Sequence, residues 1–167
     1  SLKKIVLKKI LLLLFLSAFF ISCKSTSTTV AKKDKKESKN NVAFNLIESA
    51  TAHLGAPYKA AGTTKKGFDC SGLVFTTFAS ENIKLPRSSY EQSKIGKTIN
   101  LNDAKKGDLI FFKTNKSKQI NHVGLIVEIN KNEIKFVHSS TSKGVIISST
   151  KELYYKNSFV QVNRIIE

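Results

Sequence analysis

Three side chains have the types and the placing for covalent acyl transfer: Cys70, His122 and His138. Cys70 lies in "GFDCSGLVF", between the carboxyl of Asp69 and the hydroxyl of Ser71. Leu73, Val74, Thr77 and Phe78 follow at helical spacing, so Cys70 is expected at the start of a helix over 70–81. Backbone N–H groups and the helix dipole favour an anion there. A thiol at such a position is expected to be acidic, and the thiolate is the nucleophile. Catalysis also needs a base within hydrogen-bond reach and a group that orients the base. The chain has 3 histidines. His122 opens "HVGLIVEI" and by strand alternation shares a face with Gly124, Ile126 and Glu128. His138 ends "EIKFVHSS". A hairpin about "NKNE" leaves both histidines near the ends away from the turn, where strands about 4.8 Å apart let their rings meet. His122 is then the base and His138 its orienter. His53, late in a helical segment with nothing to pair with, reads as structural.

The elements that must position these groups change character along the chain. "NVAFNLIESATAHLG" carries Val42, Leu46, Ile47, Ala50 and Leu54 at helical spacing, with Gly55 as the stop. "APYKAAGTTKKGF" reads as loop, and Ser88-Ser89-Tyr90-Glu91 as a capping box opening a short helix. After Gly107, "DLIFF", "HVGLIVEI", "EIKFVHSS", "GVIISS" and "FVQVNRII" are short, β-rich runs separated by turns. Helices first and strands second predict an α+β fold, a helical layer on a mostly antiparallel sheet. A cysteine helix set against a sheet edge that bears histidine and a polar partner is papain-like geometry.

The net charge is +16 on 167 residues. Residues 1–40 hold half of it, ten lysines against two acids. Lys3, Lys4, Lys8 and Lys9 precede an apolar run from Ile10 to Ile21, too short for a spanning helix of about 20 residues. A basic start and a short apolar stretch are the pattern of a secretory signal. "FISC" then resembles a bacterial lipobox, which implies cleavage before Cys23 and acylation of that cysteine. Residues 24–40 are charged and nearly devoid of apolar side chains, as expected of a flexible tether. The expected organisation is a signal peptide at 1–22, an acylated tether at 23–41 and one domain at 42–167. With Cys23 acylated, Cys70 has no disulfide partner in an oxidising compartment. An exported chain of this kind has no call for nucleic acid; its basic charge suits lipid or an anionic wall.

"GAPYKAAGTTKKGFDCSGLV", "LPRSSYEQ", "GDLIFF", "HVGLIV" and "FVHSSTSKGVIISS" resemble, in order and spacing, the NlpC-like cell-wall cysteine peptidases, above all their Spr-type lipoprotein murein endopeptidases. The resemblance covers nearly all of residues 43–167. It implies a papain-like fold and hydrolysis of amide bonds in peptidoglycan stem peptides or crosslinks, with no cofactor. It implies Cys70 as nucleophile, His122 as base and His138 as the third polar residue. It also implies that Tyr58 lies beside the nucleophile, that Asp69 and Ser71 help to bind substrate, and that Arg87 lines the cleft. The implied enzyme is held by Cys23 at the outer membrane, facing the periplasm; a monomer is expected, though no feature of the sequence sets the oligomeric state. One departure concerns Ala61-Gly62, where the family has two glycines; alanine tolerates positive φ poorly.

Three rival readings remain in view. Cys70, His122 and His138 are also a possible zinc ligand set, although no close-spaced pair such as CxxC or HxxxH accompanies them. An acyltransferase on the same fold is expected to place its histidine before its cysteine, the reverse of the order here. A non-catalytic wall-binding lipoprotein is expected to lack the nucleophile or the base, and both are present.

Overall fold

The computed structural model describes residues 41–166. The expected signal peptide, the acylated Cys23 and the tether through residue 40 lie outside the described residues. Among the described residues no helix is long and apolar enough to cross a membrane.

Helix α1 spans 41–51 and ends in a turn through Gly55, whose φ of 82° is the left-handed conformation that stops a helix. Two short strands follow, β1 (Thr63–Thr64) and β2 (Gly67–Phe68), paired antiparallel. They lie in a segment whose composition reads as loop. Helix α2 (Cys70–Ala79) starts immediately after, and the four-residue α3 (Ser89–Gln92) packs near its start. The Ser88 hydroxyl accepts the Glu91 N–H at 3.2 Å, so the expected cap on α3 is present. Strand β3 (Lys97–Ile99) and a 3-10 turn (Leu101–Asp103) lead into the main sheet. Its remaining strands are β4 (Leu109–Phe112), β5 (His122–Asn130), β6 (Glu133–Ser140), β7 (Gly144–Ser149) and β8 (Phe159–Arg164). Helix α4 (Leu153–Ser158) joins β7 to β8.

The six strands run in the order β3-β8-β4-β5-β6-β7, every pairing antiparallel. All four residues of β4 are buried, which requires cover on both faces. Leu109, Phe111, Val123, Leu125 and Val137 face one way, against Leu46 and Ala50 of α1 and Leu73, Val74 and Phe78 of α2. Ile110, Phe112, Ile126, Phe136 and Val162 face the other way, with Tyr155 of α4 over them. The expected α+β class is therefore the observed one, with the catalytic candidate on the helical layer and the histidines on the sheet.

One expectation about the sheet fails. Glu128 was expected on the face of His122, but the register of β5 against β6 shifts between Ile126 and Glu128. The extra residue of this bulge turns Glu128 to the opposite face, where it pairs with Lys135 at 3.2 Å.

The loop before Cys70 shows how the departure at Ala61 is accommodated. Ala61 takes φ of 57°, the conformation glycine would adopt freely. A Cβ on Gly72, in the first turn of α2, would be driven into the Gly62 carbonyl oxygen. The Cys70 loop thus depends on a close approach that only glycine permits. Left-handed φ costs an alanine about 1–2 kcal/mol, and glycine returns part of that as unfolded-state entropy. Ala61→Gly should therefore stabilise the domain by about 0.5–1 kcal/mol and raise its melting temperature by a few degrees. Gly72→Ala should lower it sharply. Thermal unfolding of the two variants checks both signs.

Candidate active site

Cys70 is the first residue of α2, and Asp69 is its N-cap. The Asp69 carboxylate accepts the Gly72 N–H at 2.6 Å and the Ser71 hydroxyl at 3.2 Å. Arg87 grips the same carboxylate with two nitrogens, at 2.9 and 2.7 Å. It also donates to the Ser71 hydroxyl at 3.0 Å and to the Gly62 carbonyl at 3.4 Å. Burial alone would raise the Asp69 carboxyl, but the Arg87 and Gly72 hydrogen bonds, the Arg87 charge and Ser71 outweigh it and hold it below its ordinary value. Gln92, fully buried, donates to the carbonyls of Ser71 at 3.1 Å and Pro86 at 2.9 Å. The start of α2 is therefore fixed from several sides.

The sheet holds this loop through Ser139, next to His138, whose hydroxyl donates to the Phe68 carbonyl at 2.7 Å. Phe68 also pairs with the backbone of Tyr58, and its ring packs tilted against His53, centroids 4.7 Å apart. Tyr58 is exposed and its segment runs beside the strand that leads to Cys70. His53 carries a buried Nδ1 without a hydrogen-bond partner and stands apart from the other two histidines, as expected of a structural residue.

Cys70 meets β5 at its beginning. Its Sγ lies 3.8 Å from the Asn121 carbonyl, and the Val123 N–H points to it from the other side of His122. The thiol thus straddles the backbone that carries His122. The Asn121 side chain keeps that backbone in place by bonding both the N–H and the carbonyl of Thr114, at 2.8 and 3.2 Å.

His122 and His138 do meet. His122 Nε2 and His138 Nδ1 are 2.9 Å apart, with the rings nearly perpendicular at 82°. The Leu125–Val137 register places His122 two residues beyond the position facing His138, on the same face. His138 is fully buried. Its far nitrogen, Nε2, lies 3.3 Å from the Tyr155 hydroxyl. Phe112, Phe136 and Tyr155 pack around both imidazoles, with Phe136 and Tyr155 each 5.2 Å from the His138 ring. Tyr155 escaped the sequence reading because α4 is only six residues long; its one signal is the Tyr154-Tyr155 pair after a strand. The 2.9 Å bond occupies the facing nitrogens of both histidines, and among the described residues no group of three His, Cys, Asp or Glu side chains is arranged to hold a metal ion.

This environment disfavours isolated charge. Burial pushes the Cys70 thiol up to about 11, with the Val123 and Ser71 N–H groups opposing and the Asp69 charge adding to it. The expectation of an acidic thiol at the helix start is thus reversed: loss of water outweighs a few N–H donors, and the N-cap is itself an anion. Burial takes His122 down to about 4. Burial, and then the neighbouring His122, take His138 down to about 3. Burial thus penalises a lone charge on the thiol and on either imidazole.

Known proteins share both the fold and the sequence pattern. A probable endopeptidase of Haemophilus influenzae is 43% identical over 121 residues, covering 72% of this chain and 73% of that protein. A murein DD-endopeptidase/LD-carboxypeptidase of Escherichia coli K12 is 38% identical over 127 residues, 75% of this chain and 64% of that one. The crystal structure of an NlpC/P60 family protein from Bacillus cereus superposes with a TM-score of 0.67 at 33% identity, covering 75% of this chain and 40% of the other. The NlpC/P60 family model matches residues 55–164, which include Cys70, His122 and His138. The chain belongs to the NlpC/P60 family and is a cysteine peptidase of papain-like fold.

Proposed function

We propose that this peptidase is a cell-wall hydrolase that cleaves amide bonds in peptidoglycan, first of all in the crosslinks between stem peptides. The observation that carries the reading is the seating of Cys70 against the backbone on both sides of His122, with His122 bonded to His138. The murein endopeptidase relative supports the substrate class.

The two hydrogen bonds of His138 are compatible with one direction for the proton. If the Tyr155 oxygen accepts from His138 Nε2–H, His138 Nδ1 is left as an acceptor. It then accepts the hydrogen bond of His122 Nε2–H. His122 Nδ1 remains as the nitrogen with a lone pair for the Cys70 thiol. As sulfur bonds to the amide carbon, the thiol proton passes to His122 Nδ1 and the carbonyl oxygen becomes an oxyanion. The Cys70 N–H at the helix start, with the Tyr58 hydroxyl, is the proposed donor set for it. Collapse breaks the C–N bond, and His122 gives its proton to the departing amine. Water then attacks the thioester, His122 takes its proton, and carboxylate and thiol are released. Arg87, engaged with Asp69, Ser71 and the Gly62 carbonyl, serves by holding the loop in which Asp69 and Ser71 meet the substrate.

Localisation belongs to the same proposal. Residues 1–22 direct export, acylated Cys23 anchors the chain in the cell envelope at the outer membrane, and residues through 41 give the monomeric domain its reach. The support is the sequence pattern of that segment.

Purified sacculi incubated with the protein should lose crosslinked muropeptide dimers, as read by mass, and Cys70→Ala should release nothing while staying folded. An alanine variant as active as the wild type would remove Cys70 from the mechanism. His138→Ala should lower turnover less than Cys70→Ala does. Tyr155→Phe should lower kcat by about three- to tenfold, the worth of one hydrogen bond of about 0.5–1.5 kcal/mol, with KM held. A rise in KM at constant kcat would make Tyr155 merely part of the wall.

The pH profile should carry the mark of burial. His122 becomes protonated only near 4, so kcat/KM should stay level below the ordinary imidazole value of 6.5. The thiol should show no thiolate absorbance at neutral pH. Stability should behave differently from rate. Between 6.5 and about 4 the unfolded chain binds the proton that folded His122 refuses. This contribution, roughly 3 kcal/mol at 1.36 kcal/mol per pH unit, is full above the unfolded value and is lost as pH falls through the folded one. Denaturant titrations across that window check the loss.

A further inference from the structure

A cavity of about 260 Å³ opens beside His122, on the side away from α2. Its wall comes from the β6–β7 turn, β7, the loop after β4 and the start of α4. His122 and Tyr155 line it, whereas Cys70, Asp69, Ser71 and Arg87 do not. It is therefore distinct from the clustered, internally bonded loop on the cysteine side. The Tyr154 hydroxyl donates to Asn115 Oδ1 at 3.0 Å, and both residues stand in the wall, linking α4 to the loop after β4 across the cavity. The volume lies just under the roughly 300 Å³ at which pockets for whole small molecules begin, so it suits one residue of a longer substrate.

The chemistry of the proposed reaction says which residue. The scissile carbonyl carbon sits over Cys70, and the amine that leaves takes its proton from His122. The residue bearing that amine must then lie on the His122 side, where this cavity is. Two charged side chains line the wall, Lys143 and Glu152. Glu152 Oε1 already accepts the Ser149 N–H at 2.8 Å. Lys143, exposed in the β6–β7 turn, enters none of the ion pairs formed among the described residues. Glu152 too is in no ion pair, but its carboxylate is tied to the backbone, so the charge free to turn towards a ligand is the cation; the rest of the polar wall is largely hydroxyl, Ser148 and Tyr154 among it.

The geometry points to this cavity as the leaving-side subsite, with Lys143 recognising a free carboxylate on the residue whose amine is released. The inference rests on the proposed function and deepens it. In a diaminopimelate-type stem that residue is diaminopimelate, and the carboxylate is the one on its D-centre. Replacing that carboxylate by a carboxamide keeps the shape and removes the charge. Lys143 then specifies not the bond chemistry but which wall chemistry is accepted.

The test uses the full chain and two crosslinked muropeptides, one with the diaminopimelate carboxylate free and one with it amidated. The wild type should favour the free carboxylate by about tenfold in kcat/KM, the size of one partly exposed charge-assisted contact. In Lys143→Gln this ratio should fall to near one, and Lys143→Arg should restore most of it. The change should appear chiefly in KM. A wild type that cuts both substrates equally well, or a Lys143→Gln variant that keeps the preference, would overturn the subsite assignment while leaving the hydrolase reading in place. A wild type that cuts neither, nor sacculi, would overturn the hydrolase reading and this inference with it.

Discussion

A hydrogen bond between two neutral imidazoles imposes the demands that the rest of the domain meets. His122 Nε2 and His138 Nδ1 are held 2.9 Å apart. For that bond to have one direction, His138 must keep a single tautomer, and the Tyr155 hydroxyl on its other nitrogen serves that tautomer when its oxygen accepts. For the bond to persist, water must be kept from it, and Phe112, Phe136 and Tyr155 do so. For it to matter, the thiol must be brought to the same strand. Ser139 ties the Cys70 loop to the residue next to His138, and the Cys70 sulfur meets the backbone on either side of His122. The sheet is therefore more than a platform. Its fifth and sixth strands carry the two histidines, the clamp and the backbone groups that receive the sulfur.

The same aromatic enclosure sets the electrostatics. It lowers the base to about 4, while burial of Cys70 against the helical face of the sheet raises the thiol to about 11, so each charged form is penalised on its own. A proton moved from sulfur to His122 in the proposed mechanism creates both charges together, and low dielectric strengthens their attraction. The enclosure thus favours concerted proton transfer at the moment of attack over a charged nucleophile at rest. The N-cap carboxylate of Asp69 points the same way. It stabilises the helix start while opposing a standing negative charge on the next residue.

What the sequence disclosed and what it hid follow from the range of the forces involved. The α2 start, the β5–β6 hairpin and the Ser88 cap are local patterns, written in periodicity and turn residues, and they were legible. The meeting of His122 with His138 was legible too, because strand alternation and hairpin closure are short-range rules. The bulge after Ile126 was not, since a one-residue register shift is chosen by packing on both faces and leaves no compositional trace. Strand β3 and helix α4 were missed because three and six residues carry no readable period. Tyr155 was hidden with α4. The thiol's shift was misread for a related reason. Helix-start N–H groups are visible in a sequence, whereas burial against the backbone of Asn121, 51 positions away, is not.

The two sides of the cleft differ in a way that bears on how one fold serves different substrates. On the cysteine side, Asp69, Ser71, Arg87, Gly62 and Gln92 form a network in which nearly every polar atom already has a partner. A change at one member disturbs the helix start and therefore the nucleophile. On the histidine side, the β6–β7 turn and the start of α4 carry Thr141, Ser142, Lys143 and Glu152, whose side chains make no hydrogen bond to His122 or His138. Changes there alter charge and shape without moving the sulfur or the imidazoles. Selectivity can therefore vary on the leaving side, while the cysteine side is constrained by the geometry that makes Cys70 reactive.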